Sequence, residues 1–184
     1  MRRLMATEDS RKWYVLRDLK RRNSNYPGYI ELAEKGFEVF TPLKWEISVR
    51  AGRRQRRQVP VITDLLFVRA AKETLDVEIE RIPTLQYRYR RGATISCPMT
   101  VRDIDMKRFI EAVKQSDDVL YYLLEEITPD MYGKEILVVG GPLDGYKGRL
   151  LSMRGSRKRR LLVEIPDFMA AAVEVRPEFI QYVK

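Results

Sequence analysis

The sequence predicts an α+β fold in two parts: an N-terminal α/β sandwich followed by a small all-β barrel. Two observations carry this. Up to about residue 115, strand-like and helix-like segments follow the order β–α–β–β–α–β–α. From Gly133 onward only short strands and turns recur, built around the stretch Gly133-Lys134-Glu135-Ile136-Leu137-Val138-Val139-Gly140-Gly141-Pro142-Leu143-Asp144-Gly145-Tyr146-Lys147-Gly148-Arg149-Leu150-Leu151. There a β-branched strand runs into a Gly/Pro turn and a basic residue plus a glycine restart the next strand. Gly140, Gly141, Gly145 and Gly148 admit backbone conformations closed to other residues, and Pro142 fixes one dihedral, which suits a tight barrel corner.

Taken in order, Lys12–Arg17 combines aromatic and β-branched residues and predicts the first strand, with Trp13 and Tyr14 as core. After a polar stretch holding Asn23, Ser24 and Asn25, Pro27 suits a first helical turn. Tyr26, Ile30, Ala33 and Phe37 recur at helical spacing and Gly36 is a natural stop, so a helix is expected from Pro27 to about Lys35. Phe37–Val49, interrupted by Pro42, and Val59–Val68 read as the arms of a long hairpin joined by the polar connection 51–58. Leu75, Ile79 and Ile82 mark a short helix that Pro83 ends. Leu85–Arg91 alternates Tyr87 and Tyr89 with Arg88 and Arg90, a strand with one basic face. Thr100–Asp103 reads as a capping box ahead of a helix bearing Met106, Phe109, Ile110 and Val113. Residues 116–132 carry Asp117, Asp118, Glu125, Glu126 and Asp130 around Val119–Leu124. They are expected to form an acidic linker whose apolar patch must dock somewhere. The divisions are then 1–115, with a core from about 11, the linker 116–132, and a barrel domain 133–184 with strands near Glu135–Val139, Arg149–Met153, Arg160–Ile165 and Ala171–Val175 and a closing segment from Pro177.

Composition narrows the function. The chain has 184 residues, a formal net charge of +9, one cysteine (Cys97) and no histidine. The positive excess favours polyanions. A lone cysteine excludes an intrachain disulfide and fits a reducing compartment. The lack of histidine removes His-based triads, His acid–base chemistry and the commonest zinc sites. No P-loop or dinucleotide fingerprint occurs, and no apolar run approaches the ~20 residues of a membrane span. The expectation is a cytosolic, non-enzymatic protein with no cofactor or metal.

Three constellations stand out. Arg50, Arg53, Arg54, Arg56 and Arg57 crowd one hairpin tip. This is either a solvated end that discourages edge pairing or a phosphate contact, and the arginine density favours phosphate. Arg154, Arg157, Lys158, Arg159 and Arg160 surround a Gly155-Ser156 turn. A solvated loop and a site for RNA, DNA or an acidic protein fit it equally. Ile62, Leu65, Phe67, Tyr87 and Tyr89 make one apolar patch if their strands are neighbours. On residue type alone ordinary core is the better reading, with a protein-docking surface as the alternative.

With both halves laid out, the chain resembles the NusG family of transcription factors over almost its whole length. Lys12-Trp13-Tyr14-Val15-Leu16 looks like the opening strand of the family's N-terminal (NGN) domain, and the order of elements is that domain's order. Val59–Val68 is similar to its Pro-Gly/Ser-Tyr-Val-Phe-Val strand, with Thr63, Asp64 and Leu65 in place of the usual residues. The corner Gly140, Gly141, Pro142, Gly145, Lys147 and Gly148 looks like the KOW motif of the SH3-like C-terminal domain, with Gly148 at the signature glycine. Arg160–Pro166 through Ala172–Val175 looks like that domain's closing strands. The divergent loops and high arginine content look more like the specialised UpxY- and RfaH-type paralogs than the housekeeping member.

The resemblance implies a monomeric elongation and antitermination factor acting in the bacterial cytoplasm on particular operons, such as those for capsular polysaccharide. Ile62, Leu65, Phe67, Tyr87 and Tyr89 would dock on the clamp helices of the largest RNA polymerase subunit. Arg50, Arg53, Arg54, Arg56 and Arg57 would face non-template or upstream DNA. The KOW domain would recruit a ribosomal protein or a termination factor. A His/Thr-rich second polymerase contact has no counterpart near Asp76-Val77-Glu78. The rival readings are a ribosome- or RNA-binding KOW module and, further off, a carboxylate-and-metal nuclease.

Overall fold

The computed structural model describes residues 10–20, 24–50, 52–90, 97–116 and 118–183. Asn23, Ala51, Arg91, Asp117 and the Arg50 side chain, all used in the sequence reading, lie outside what is described. The chain divides into two compact units, Met1–Asp103 and Ile104–Lys184.

The first unit is built on β1 (Lys12–Asp18), α1 (Gly28–Glu34), β2 (Glu38–Phe40), β3 (Leu43–Arg50), β4 (Arg53–Pro60), β5 (Leu65–Ala70), α2 (Lys72–Arg81), β6 (Leu85–Tyr87) and β7 (Thr100–Val101). Its five-stranded sheet runs β2-β5-β1-β6, with β7 also on β1. Every pairing is antiparallel. Strand β1 sits at the centre with both its edges paired, and Trp13, Tyr14, Val15 and Leu16, which alternate between its two faces, are all buried. On one face Tyr14 and Leu16 stand opposite Val68 and Leu66. Leu32 of α1 and Leu75 of α2 close over them. On the other face Val15 opposes Phe67.

The long hairpin is real but pairs in two stages. Residues of β2 pair with β5, and β3 pairs with β4 as a separate two-stranded ribbon. Between the stages, the Thr41 hydroxyl donates to the Leu65 carbonyl at 2.7 Å and the Val61 N–H donates to the Pro42 carbonyl at 2.8 Å. The expected connection 51–58 shrinks to a turn at Gly52, where φ is 74°, and Arg53–Gln58 is strand. Because β4 is paired along its whole length, its arginines are strung along a ribbon rather than bunched at a tip.

The helices fall close to the expected places. The capping box does not form: Thr100 is in β7, paired with Tyr14, and α3 (Asp103–Lys114) starts only at Asp103. A short strand on the sheet edge takes Thr100 before the helix can use it.

The second unit holds the rest of α3, then β8 (Leu120–Leu123), β9 (Tyr132–Val138), β10 (Lys147–Leu151), β11 (Arg160–Ile165), β12 (Met169–Glu174) and β13 (Ile180–Tyr182). The sheet order is β13-β9-β10-β11-β12-β8, six strands where five were expected. The sixth comes from the stretch read as an acidic linker. Leu120–Leu123 pairs antiparallel with Met169–Ala172. Its apolar residues dock as the sequence demanded: Ile127 packs with Leu151, Leu162, Ala170 and Ala172, and Leu120, Tyr122, Leu124, Met131 and Tyr132 cover them. The small alanines of β12 let this layer sit close to the sheet. Helix α3 groups with this unit through side chains of its own. Phe109 lies 6.5 Å from Tyr121, the Arg108 guanidinium donates to the Lys147 carbonyl at 2.6 Å, and the Tyr146 hydroxyl donates to the Arg108 carbonyl at 2.9 Å.

Candidate nucleic-acid interface

The β3–β4 ribbon is the most exposed regular element of the first unit. Its register places Trp45 opposite Gln58, Ile47 opposite Arg56 and Val49 opposite Arg54. Directly opposed residues share a face, so one face carries Trp45, Ile47, Val49, Arg54, Arg56 and Gln58. The other carries Lys44, Glu46, Ser48, Arg53, Gln55 and Arg57. Arg53 through Gln58 are all exposed. The Arg56 guanidinium lies over the Trp45 ring, 4.3 Å from its centroid. That is a diagonal cross-strand contact within reach of a long side chain. None of Arg53, Arg54, Arg56 and Arg57 enters an ion pair among the described residues. Their charge is therefore not neutralised within the described chain.

The second basic loop is different. Lys158 pairs with Asp118 at 2.7 Å and with Glu174 at 3.1 Å. Arg160 is buried and donates to Asp118 at 2.6 Å. The hydrogen bond from Lys158, with Arg160 adding its field, holds the Asp118 carboxyl below the ordinary carboxylate range. Two of the five expected basic contacts thus serve to tie the segment after α3 to β11 and β12. Arg154, Arg157 and Arg159 stay exposed.

The five apolar residues are not brought together. Strand β6 pairs with β1 and not with β5, so β1 separates Phe67 from Tyr87. Leu65 and Phe67 lie on the face of Val15, whereas Tyr87 stands beside Leu16 on the opposite face. Leu65 is 2 % exposed and Phe67 0 %, which corrects their reading as surface contacts: both are core. Tyr87 joins an aromatic run, with Tyr14 at 5.6 Å and Tyr89 at 6.5 Å. Burial pushes the Tyr87 hydroxyl up, and its hydrogen bond to Asp76 at 2.8 Å adds to this. Only Tyr89 is open, at 50 %, with Ile62 half-buried. The expected basic face of this strand is also partly spent, since Arg88 and Arg17 both pair with Asp64 at 2.9 Å. Asp64, one of the positions that departs from the family strand, is thus an anchor between two arginines.

The glycine corner forms as expected at Gly140, Gly141 and Gly145, where φ is 88°, 72° and 79°. Gly148 differs. It sits in β10 with an ordinary φ, and its requirement is space: a Cβ there would meet Leu161 Cδ1 and the Leu162 carbonyl oxygen at 3.0 Å each.

Sequence reasoning missed Trp45, Ile47 and Val49, which are 54 %, 71 % and 69 % exposed. Their period-two spacing was visible, but the same spacing serves a buried strand, and only the isolation of the ribbon leaves the face open.

The family model described as "Transcription termination factor nusG" matches residues 11–110. Among curated proteins none matches. A solved structure titled "Domain interaction in Thermotoga maritima NusG" aligns at a TM-score of 0.48 and 14% identity, covering 97% of this chain and 100% of that one. The family match takes in β1 through most of α3 and more than half of the 184 residues, and on that ground the chain belongs to the NusG family of transcription factors.

Proposed function

We propose that this protein is a specialised elongation and antitermination factor of the UpxY and RfaH kind. Its first unit binds the clamp helices of the largest RNA polymerase subunit, and the arginines of the ribbon contact non-template or upstream DNA. It promotes processive transcription of particular operons, and the glycine corner and strands of the second unit act as a KOW domain that recruits a ribosomal protein or a termination factor. The observation that carries the reading is the arginine ribbon projecting from a domain that the family model spans. Arg53, Arg54, Arg56 and Arg57 are exposed and hold no ion pair among the described residues. Arginine forks of this density suit phosphate, and such contacts give affinity without base specificity. Of the five polymerase contacts expected from sequence, Tyr89 and Ile62 keep accessible surface, so the docking face is centred on them.

The test is a pull-down of the purified full chain with core RNA polymerase, alone and assembled on a DNA–RNA scaffold. Binding that rises with the scaffold and falls on Tyr89→Glu supports the reading. No polymerase binding, with salt-sensitive RNA binding retained, moves the protein to an RNA- or ribosome-binding role.

A further inference from the structure

We infer that the Trp45 face of the β3–β4 ribbon is a stacking site for unpaired bases, so that the ribbon prefers single-stranded nucleic acid to duplex. The inference deepens the proposed DNA contact. It rests on that nucleic-acid contact and not on polymerase docking.

The face combines two chemistries that phosphate binding alone does not need. Trp45, Ile47 and Val49 stand in one row, 54 %, 71 % and 69 % exposed. Arg54 and Arg56 stand across from them in register. A two-stranded ribbon is at best marginally stable in water, and three large apolar side chains left mostly in solvent on it add little to the fold. A ligand with flat apolar surface and negative charge at short spacing uses both rows together. A single nucleic-acid strand is such a ligand. Its bases offer π-faces to an indole, and its phosphates lie within reach of guanidiniums one strand away. In a duplex those π-faces are already stacked on one another, so Trp45, Ile47 and Val49 would gain little. Arg56 over Trp45 prepares the site. It holds the indole from one side while more than half of the residue's surface stays open, and it places a cation where a phosphate of the stacked nucleotide would fall.

Charge complementarity decides the occupant. The strand β4 that frames the face supplies Arg53, Arg54, Arg56 and Arg57 and no acidic residue. An apolar protein partner would use the tryptophan row but would have to bury or avoid these arginines. On the opposite face the arginines recur without an aromatic residue, because Lys44, Glu46 and Ser48 take those places. That face offers phosphate contact only. The two sides of one ribbon therefore differ in what they can hold, and only the Trp45 side has a reason to discriminate strandedness.

The experiment uses the full chain and a labelled mixed-sequence oligonucleotide of about 16 nucleotides, offered single-stranded and as a blunt duplex over a salt series. Anisotropy reads affinity and tryptophan emission reports stacking, with Trp13 buried as an internal reference. The expected result is tighter binding of the single strand with quenched emission. Trp45→Ala should weaken single-strand binding by roughly 5- to 150-fold, the range of one lost base–aromatic stack, and leave duplex binding unchanged. Arg54→Gln should weaken both and flatten the salt dependence. Unchanged circular dichroism and urea midpoint for Trp45→Ala show that the fold is intact. Equal affinity for both forms, with Trp45→Ala like the parent, overturns the stacking site and leaves the phosphate contact standing. No binding of either form overturns both. Loss of polymerase pull-down by Trp45→Ala with no change in oligonucleotide binding overturns it in favour of a protein contact.

Discussion

A carboxylate oxygen of Asp18 accepts the backbone N–H of Gly28 at 2.6 Å, where the end of β1 meets the start of α1. Asp18 is buried, and its other oxygen accepts the Lys20 N–H at 3.0 Å. Helix α1 has no side-chain cap from Pro27, so Asp18, distant in sequence, satisfies one of its free N–H groups. The contact also explains Gly28. A Cβ there would lie 2.8 Å from Leu85 Cδ2 and 2.9 Å from the Asp18 oxygen. Asp18→Ala should destabilise the protein by ~1–3 kcal/mol by leaving a buried donor unpaired. Gly28→Ala should lower stability by about as much through overpacking. Urea unfolding of the two single variants and the double variant checks this, and the double variant should lose less than the sum because both act on one contact.

Phe67 and Tyr89 separate core from surface. Phe67 is fully buried, and Phe67→Ala should lower stability by ~3–5 kcal/mol. Tyr89 is half-exposed, and Tyr89→Ala should shift stability by less than about 1 kcal/mol. Denaturant midpoints measured beside the polymerase pull-down distinguish a folding defect from a lost contact. A Phe67 variant that loses binding only in proportion to its unfolded fraction confirms its place in the core.

Asp118 makes part of the stability pH-dependent. Its folded pKa lies below the ordinary value of 3.8, with the Lys158 hydrogen bond as the main cause. A depressed carboxylate contributes stability that is fully present above the unfolded pKa and is lost as pH falls through the folded one. The contribution should therefore hold at neutral pH, begin to fall below about pH 4 and be gone once pH is under the folded pKa. Asp118→Asn should flatten the acid limb of a stability-against-pH curve and lower stability at pH 7 by about 1 kcal/mol or less, because the half-exposed carboxylate is screened by water and asparagine still offers Arg160 a neutral acceptor. Thermal or urea midpoints from acid to neutral pH give both readings.

Two glycines of the barrel corner should respond differently. Gly148→Ala presses a methyl against Leu161 Cδ1, held in place by its full burial, and against the Leu162 backbone carbonyl. A loss of ~1–3 kcal/mol is expected. At Gly145 nothing lies within 4 Å, and only the φ of 79° opposes a side chain. Gly145→Ala should lose ~1–2 kcal/mol and Gly145→Asn less, since asparagine tolerates this region. Equal responses of alanine and asparagine at Gly145 would remove the backbone explanation.

The sequence by itself determined the local elements. Residue type and spacing placed β1, α1, α2 and β11, the glycine corner, and the burial of Trp13 and Tyr14, because these depend on neighbours a few residues away. It also showed that the apolar run Val119–Leu124 had to be covered. What covers it was decided by the tertiary structure, which lays Leu120–Leu123 along β12 and turns an expected linker into a sheet edge. The same holds for the candidate sites. Leu65, Phe67 and Tyr87 could be listed from sequence, but insertion of β1 between their strands sends them to opposite faces. Lys158 and Arg160 read as free charge until Asp118 is brought to them across the fold. Trp45, Ile47 and Val49 read as one more alternating strand until their ribbon is left without a covering layer. Period-two spacing states that a strand has two faces. Which face meets water depends on partners that lie far away in the chain, and only the folded molecule supplies them.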